Sequence, residues 1–389
     1  MLHSELGVLR GGGENFTRNL FTAFAERGHS VAAAFVADYR SQYPMPLPLS
    51  IQGVPLNGWW SRNFGQTALS VIGRSFPHDD RLRRRWDYFR DAISWRAIRW
   101  HNYRFQQRVE RVFSTRWSDF DAVYVHGDPV LASHVAHFRP TVLRLPGPVS
   151  AHYEPELRKI HAVCANGDAL AQIRTFLGNH ATELPIGLDE TLFKPGATSV
   201  RRKLRWTCHH RIAGYVGRLT QLKGVDLLAR AFHELSKRLP DARLLVIGNG
   251  EEGRNMRSVL TQELQGNLIH IEADVSHERL PDWYRAMDIL IMPSRYENFS
   301  NALIEGMACG VPFIASNVGG NRIVAESGAG WLFESESVPS LSLFLERALG
   351  GATDLKARGK IGFEYIKQHH SWAATAKCLE RIFESLVRV

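Results

Sequence analysis

Cysteine is scarce in this chain of 389 residues. The four present, Cys164, Cys208, Cys309 and Cys378, lie far apart and form no CxxC. That excludes a disulfide scaffold and makes reduced thiols the expectation. No run of 18 apolar residues occurs, so no membrane-spanning helix is expected. The N-terminus shows no basic-then-apolar leader, which makes a cytoplasmic location the expectation. Low-complexity, collagen-like and coiled-coil compositions are all absent. Acidic residues are in deficit, 39 against 48 Lys and Arg, for a formal charge of +9. That sign suits an anionic partner but does not choose between a nucleotide-sugar, a nucleic acid and an acidic membrane. Hydrophobic residues make up 44% and charged residues 22%. These values belong to a folded protein with enough apolar material for two cores, not to a disordered chain. The length predicts two or three domains.

The charge is even in bulk but not locally. Between Arg81 and Arg116 stand eleven arginines and three acids, and six of the ten tryptophans fall between Trp59 and Trp117. Leu82, Trp86, Phe89, Ile93, Ala97 and Trp100 recur at spacings of three and four, and Phe105, Val109 and Val112 continue the pattern. The period is that of one or two long amphipathic helices. Two readings stand side by side. One is a surface helix with its aromatic face in the core and its arginines in water. The other is a face for an anionic membrane surface or anionic acceptor. No nucleic-acid-binding module is visible, so no nucleic-acid partner is expected.

Strand and helix signals alternate along the rest of the chain. Gly11, Gly12 and Gly13 read as a loop before a helix carrying Phe16, Leu20, Phe24 and Ala25, which Gly28 ends. Only Met1–Glu5 precede that loop, where a first strand of five or six residues is expected. Strands are expected at 31–36, 121–126, 141–145 and 161–165, with a helix at 167–177. Residues 40–80 read as irregular and 184–195 as a linker. Alternation resumes with strands at 212–216, 243–247, 268–272, 288–292 and 312–315. Helices are expected at 225–238, 252–263, 279–286, 301–309, 321–326 and 371–387. The pattern predicts an α/β fold with two doubly wound, Rossmann-like domains facing a cleft. The expected bounds are 1–185 and 197–370, with a linker at 186–196. The helix at 371–389 is expected to pack back toward the first domain. No tandem repeat is present.

Two segments carry chemistry. Gly217-Arg-Leu-Thr-Gln-Leu-Lys223-Gly224 follows a strand and precedes a helix. Two cations and a helix N-terminus would neutralise a diphosphate and stabilise it as a leaving group. An ordinary basic loop is the alternative. Glu297-Asn-Phe-Ser-Asn-Ala-Leu-Ile-Glu305 lies in and after the loop that Pro293 starts, behind the strand at 288–292. Its carboxylates can accept hydrogen bonds from sugar hydroxyls, and the backbone of Asn298–Asn301 can donate others. A helix N-terminal acid plus a solvated glutamate is the alternative. No DxD motif is placed to hold Mg²⁺, so no metal is expected.

With these in hand, the chain resembles a family 4, group 1 type, retaining glycosyltransferase of two-Rossmann GT-B architecture. The matching pieces run almost end to end: GGGE, ERGHSV, the VHG loop, PIGLDETLFKP, GRLTQLKG, LLVIGNGEE, the E-x7-E segment, MACGVPFIASNVGG and HSWAATA. The resemblance implies roles. Arg218 and Lys223, with Gly217, Gly248 and Asn249 nearby, would bind the donor diphosphate. Glu297 would contact the donor sugar and Glu305 the ribose. Asn298, Phe299, Ser300 and Asn301 would offer backbone N–H groups. Gly12 and Gly13 would close over the donor, and Ala273 to Val275 would lie near the base. His126 matches the histidine near the transferred sugar, with a structural histidine as its alternative. His126, Arg218, Lys223 and Glu297 form the expected catalytic set.

The donor would be a UDP- or GDP-type sugar, with no cofactor, and the acceptor a glycan or lipid-linked glycan. The expected role is cell-surface polysaccharide or lipopolysaccharide synthesis, at the inner face of the membrane if the Arg/Trp segment binds it. Two departures stand out. Asn321-Arg-Ile-Val follows Gly319-Gly320 where the family usually has a Glu. Leu145-Pro146-Gly147 stands where a second histidine is common. Two competing readings remain: an epimerase or hydrolase of the same fold, and a non-catalytic nucleotide-sugar or glycan-binding partner.

Overall fold

The structure is a computed structural model, and it describes residues 1–2, 12–37, 51–57, 102–249, 253–264, 266–273, 275–351 and 353–387. Most of the Arg/Trp stretch, up to residue 101, lies outside them, as do Gly11 and Asp274. The chain divides into two compact units. The first comprises Met1–Ala165, Gln172–Leu184 and Thr375–Val389, and the second Asn166–Ala171 and Pro185–Ala374.

In the first unit, α1 (Gly12–Glu26) leads to β1 (Val31–Ala37) and β2 (Ile51–Asn57). A helix over 102–113, α2, buries Phe105, Val109 and Phe113 at a spacing of four. Then come β3 (Val123–His126), α3 (Pro129–Val135), β4 (Thr141–Arg144) and β5 (Ala162–Ala165). The helix α4 (Gly167–Leu177) and β6 (Ala181–Glu183) follow. The strands β1 and β2 pair in parallel, and β3-β4-β5-β6 form a parallel sheet. Leu2 bridges the two, in register with Ala34 of β1 and Val125 of β3. Its N–H donates to Tyr124 O at 2.8 Å, and its carbonyl accepts from His126 N at 3.1 Å. Where the first strand is expected, Leu2 forms a β-bridge, and the rest of that expectation lies outside the described residues. With that bridge counted, the order reverses direction beside β3, which makes the carboxyl end of β3 a switch point.

Two expectations change here. Gly12 and Gly13 lie in the first turn of α1 and not in a loop. Residues 51–57, read as irregular, form the edge strand β2. Gly53 and Pro55 hid it, because both argue against a strand interior. An edge strand tolerates proline, since only one of its sides needs ladder donors. Gly28 ends α1 at φ +95° as expected. In the C-terminal part of this unit, Glu380 accepts from the Arg27 guanidinium and from His29 Nε2, the latter at 2.6 Å.

The second unit is built on β7 (Arg211–Val216), α5 (Val225–Ser236), β8 (Ala242–Ile247), α6 (Gly253–Glu263) and β9 (Ile269–Glu272). It continues with β10 (Ile289–Met292), α7 (Asn301–Ala308), β11 (Phe313–Ser316) and β12 (Gly330–Phe333). Then follow α8 (Val338–Leu349), α9 (Leu355–His369) and α10 (Trp372–Val387). The strands form one parallel sheet in the order β12-β11-β10-β7-β8-β9. Their residues are apolar almost throughout because helices cover both faces. The order reverses between β7 and β10, so that is where a ligand crevice belongs. Alternation left 327–370 unread, and that stretch holds β12, α8 and α9. The segment read as a linker packs into this unit, with Phe193 and Leu188 in its core and Leu188 N donating to His370 O at 2.6 Å.

Candidate active site

The two chemical segments of the second unit meet at its switch point. After β7 the chain runs through Gly217 and Arg218 into a turn at Gln221–Lys223, and Gly224 at φ +67° opens α5. A Cβ on Gly224 would lie 1.9 Å from Pro293 O, at the end of β10. A Cβ on Gly248, at φ +146°, would lie 1.9 Å from Gly217 O. Leu219 N donates to Asn249 O at 3.0 Å and Gly248 N to Glu272 O at 2.9 Å. The loops after β10, β7, β8 and β9 therefore touch in series. Only glycine permits this spacing at those backbone angles.

Lys223 and Glu297, 74 positions apart, are joined directly. Lys223 Nζ donates to Glu297 Oε2 at 2.5 Å, and Ser294 Oγ donates to the same oxygen at 3.2 Å. Both charged groups are largely shielded from water. Arg218 lies exposed at the rim. The Glu297 loop is clamped from below. Glu297 O accepts from Gly320 N at 3.0 Å, and a Cβ on Gly319, at φ +43°, would lie 1.8 Å from that oxygen. Ser300 caps α7, its Oγ accepting from Leu303 N. Asn298 Oδ1 accepts from Ala169 N at 3.0 Å. Phe299 packs half-buried against the core, its ring 5.9 Å from that of His370. Asn301 starts α7. Ala273 and Val275 are half-buried just beyond β9.

Arg295 was not singled out by the sequence. Its guanidinium binds both oxygens of Asp226, at 2.7 and 2.8 Å, and Glu336 at 2.7 Å. Its N–H donates to Leu222 O at 2.9 Å. Burial pushes the Asp226 carboxyl up, but the hydrogen bonds and charge of Arg295 reverse that and leave it below its usual range. Arg295 thus ties the 293–300 loop to the 221–226 turn. Its only sequence signal is a basic residue two positions before Glu297. At the departure noted above, Asn321 is buried and donates to Ser316 O at 3.1 Å. There it supports the turn that clamps Glu297.

Glu305 sits in the second turn of α7 and accepts from Tyr284 Oη at 2.8 Å. Burial pushes its carboxyl up to about 7, with the Tyr284 bond pulling the other way. The folded state therefore favours the protonated acid. Below about pH 4.5 the group is protonated in both states and costs nothing. As pH rises toward 7 the unfolded chain ionises first, and stability falls by up to about 3 kcal/mol. Glu305→Gln removes that cost. Its gain in Tm over the parent is expected to grow from pH 5 to 7.5 and then level off. A gain independent of pH would count against this titration.

In the first unit, His126 ends β3 and is largely buried. Its Nδ1 meets Thr17 Oγ1 at 3.1 Å and Tyr124 Oη at 3.3 Å. Gly127 at φ +71° turns the chain, and Asp128 caps α3 by accepting from Val130 N and Leu131 N. Gly12 and Gly13 belong to this unit. Among the described residues no three His, Cys, Asp or Glu side chains gather as a metal set.

Residues 198–362 match the family description "Glycosyl transferases group 1". A D-inositol 3-phosphate glycosyltransferase of Corynebacterium aurimucosum is 33% identical over 214 residues, 52% of this chain and 51% of that protein. A GDP-mannose-dependent monoacylated alpha-(1-6)-phosphatidylinositol monomannoside mannosyltransferase of Corynebacterium glutamicum is 28% identical over 229 residues, 56% of this chain and 60% of that protein. The chain spans about half the length of the curated relatives it matches. The Anabaena protein HepE, solved in complex with UDP, superposes with a TM-score of 0.72 at 16% identity, covering 99% of both chains. The architecture is thus that of the two-domain GT-B fold, and within the second unit residues 198–362 are similar to the group 1 glycosyltransferases.

Proposed function

We propose that the protein is a retaining glycosyltransferase that moves a sugar from a nucleoside-diphosphate sugar to a glycan or lipid-linked acceptor. The observation that carries this reading is the meeting of Lys223 and Glu297 at the switch point, beside the N-terminus of α5. A departing diphosphate carries negative charge that Arg218, Lys223 and the free N–H groups of α5 can hold. In this reading Glu297 receives donor-sugar hydroxyls and Glu305 the ribose. Transfer with retention develops an oxocarbenium-like sugar while the leaving phosphate takes up charge. Same-face substitution, in which that phosphate assists deprotonation of the acceptor, fits this set, because no carboxylate is assigned as a nucleophile. Arg218 and Lys223 supply the positive charge that a divalent cation would otherwise provide.

The finer reading places the enzyme in cell-surface polysaccharide or lipopolysaccharide synthesis, in the cytoplasm, with the Arg/Trp stretch 81–116 on anionic lipid. The exposed Arg104 and Arg111 of α2 support that last part. One relative named above is GDP-mannose-dependent by its name, which supports a nucleotide-sugar donor here without naming its base.

A thermal-shift panel of UDP, GDP, ADP, CMP and their common sugars, with and without EDTA, tests the reading. One nucleotide is expected to raise Tm selectively, by about 2.7 kcal/mol of stabilisation at 100 times its Kd, with EDTA making no difference. No shift from any nucleotide would favour a non-catalytic partner. Donor turnover to a new sugar nucleotide without acceptor would favour an epimerase.

A further inference from the structure

Arg144, the last residue of β4, is 5% exposed, yet among the described residues no carboxylate pairs with it. Its guanidinium lies 3.6 Å above the ring of Phe16, and its Nε is buried without a hydrogen-bond partner. Among the described residues, the two ionisable groups that act on it, Tyr124 and Cys164, are neutral. Burial pushes the Cys164 thiol up to about 12, and it pushes the Tyr124 hydroxyl well above its usual range. A guanidinium stays charged in such surroundings, and an uncompensated buried charge costs several kcal/mol. A fold has little reason to keep one unless an anion arrives to pair with it.

Its position says which anion and why. Arg144 is in register with His126 on the neighbouring strand, and Gly127 N donates to Arg144 O at 2.9 Å. Both side chains face α1, where Arg144 covers Phe16 and His126 meets Thr17. Phe16 lies one turn from the N-terminus of that 15-residue helix. A fixed fork of donors and a helix N-terminus together suit a tetrahedral oxyanion carrying up to two charges. The site lies one strand over from the switch point beside β3, at the same carboxyl edge of the sheet where open α/β sheets take ligands.

We propose that Arg144 binds a phosphate-type oxyanion and that this group belongs to the acceptor, which it seats beside His126. The anion site stands on the first unit alone. Its assignment to an acceptor rests on the glycosyl-transfer reading.

The test titrates inorganic phosphate into the full chain, read by thermal shift, in an Arg218→Ala background so that the donor loop contributes little. Phosphate is expected to stabilise this protein. Adding Arg144→Met is expected to raise the apparent phosphate Kd at least tenfold. It is also expected to leave Tm without phosphate unchanged or higher, because an apolar chain replaces an unpaired charge. Phosphate affinity that survives Arg144→Met, or no phosphate response before it, overturns the proposal. Should Arg144→Met fail to fold, Arg144→Lys keeps the charge but loses the fork, and phosphate affinity is expected to fall at least threefold. An unchanged affinity there also overturns it. Competition by glycerol 3-phosphate or by phosphatidic acid vesicles then tells a soluble phosphomonoester from a lipid headgroup. Displacement by either upholds the site. The nucleotide response of the parent is read separately, so failure of the donor reading and failure of the anion site give different results.

Discussion

Glu297→Gln is expected to bind nucleoside diphosphate at least as tightly as the parent while transferring sugar at least about 100-fold more slowly. The expectation follows from the 2.5 Å pair between Lys223 and Glu297. In the structure the carboxylate holds the ammonium that, on the proposed reading, the diphosphate takes up. On that reading, donor binding loosens the pair and hands Lys223 to the phosphate. Replacing the carboxylate by a neutral amide of the same shape removes the competitor. It also leaves Lys223, with a side chain only 17% exposed, without its counter-ion. Breaking a fully buried pair costs about 3–5 kcal/mol, and this partly exposed one is expected to cost about 1–3. The Tm without ligand therefore falls, and nucleoside diphosphate recovers more of it than in the parent. Transfer suffers for a different reason. The amide cannot accept sugar hydroxyls with the strength of a carboxylate, and a lost charge-stabilising contact of this kind costs about 10²–10³ in rate. Thermal shift and initial rates measure the two sides independently. Weaker nucleotide binding in Glu297→Gln would show that the carboxylate helps to hold the nucleotide.

Gly319→Ala is expected to lower stability by about 3 kcal/mol and to abolish nucleotide binding. At φ +43° an alanine is strained whatever the space, at about 1–2 kcal/mol. Its methyl would lie 1.8 Å from Glu297 O and 2.8 Å from Asp168 Oδ2. Neither the backbone oxygen nor the turn beneath it can yield without moving Glu297 away from Lys223. Gly28→Ala serves as the control. It meets the strain at φ +95° but has nothing within 4 Å of its methyl. It is expected to lose about 1–2 kcal/mol and to keep its nucleotide response intact. The Tm difference between the two variants isolates the clash, at about 2–4 °C per kcal/mol for units of this size. Equal losses in both, with nucleotide binding retained in Gly319→Ala, would mean that the turn does not govern the site.

The sequence by itself determined the alternation of strands and helices, the positions of Gly28 and Gly224 at helix ends, and the two chemical segments at 217–224 and 297–305. These are local properties: hydrophobic period, glycine at left-handed turns and polar clusters at strand ends all act within one or two turns of chain. Edge strand β2 escaped because its Gly53 and Pro55 are locally unfavourable, and pairing with β1 overrides them. What only the tertiary structure decided is non-local. The reversal of strand order between β7 and β10 brings Lys223 onto Glu297 across 74 residues. The same arrangement uses Arg295 to tie two loops together and Gly319 to clamp one of them. In the first unit, register sets Arg144 beside His126, and α1 covers both. Burial, register and the choice of charge partner depend on which strands become neighbours. That choice is made by packing the whole sheet, and no short window of residues contains it.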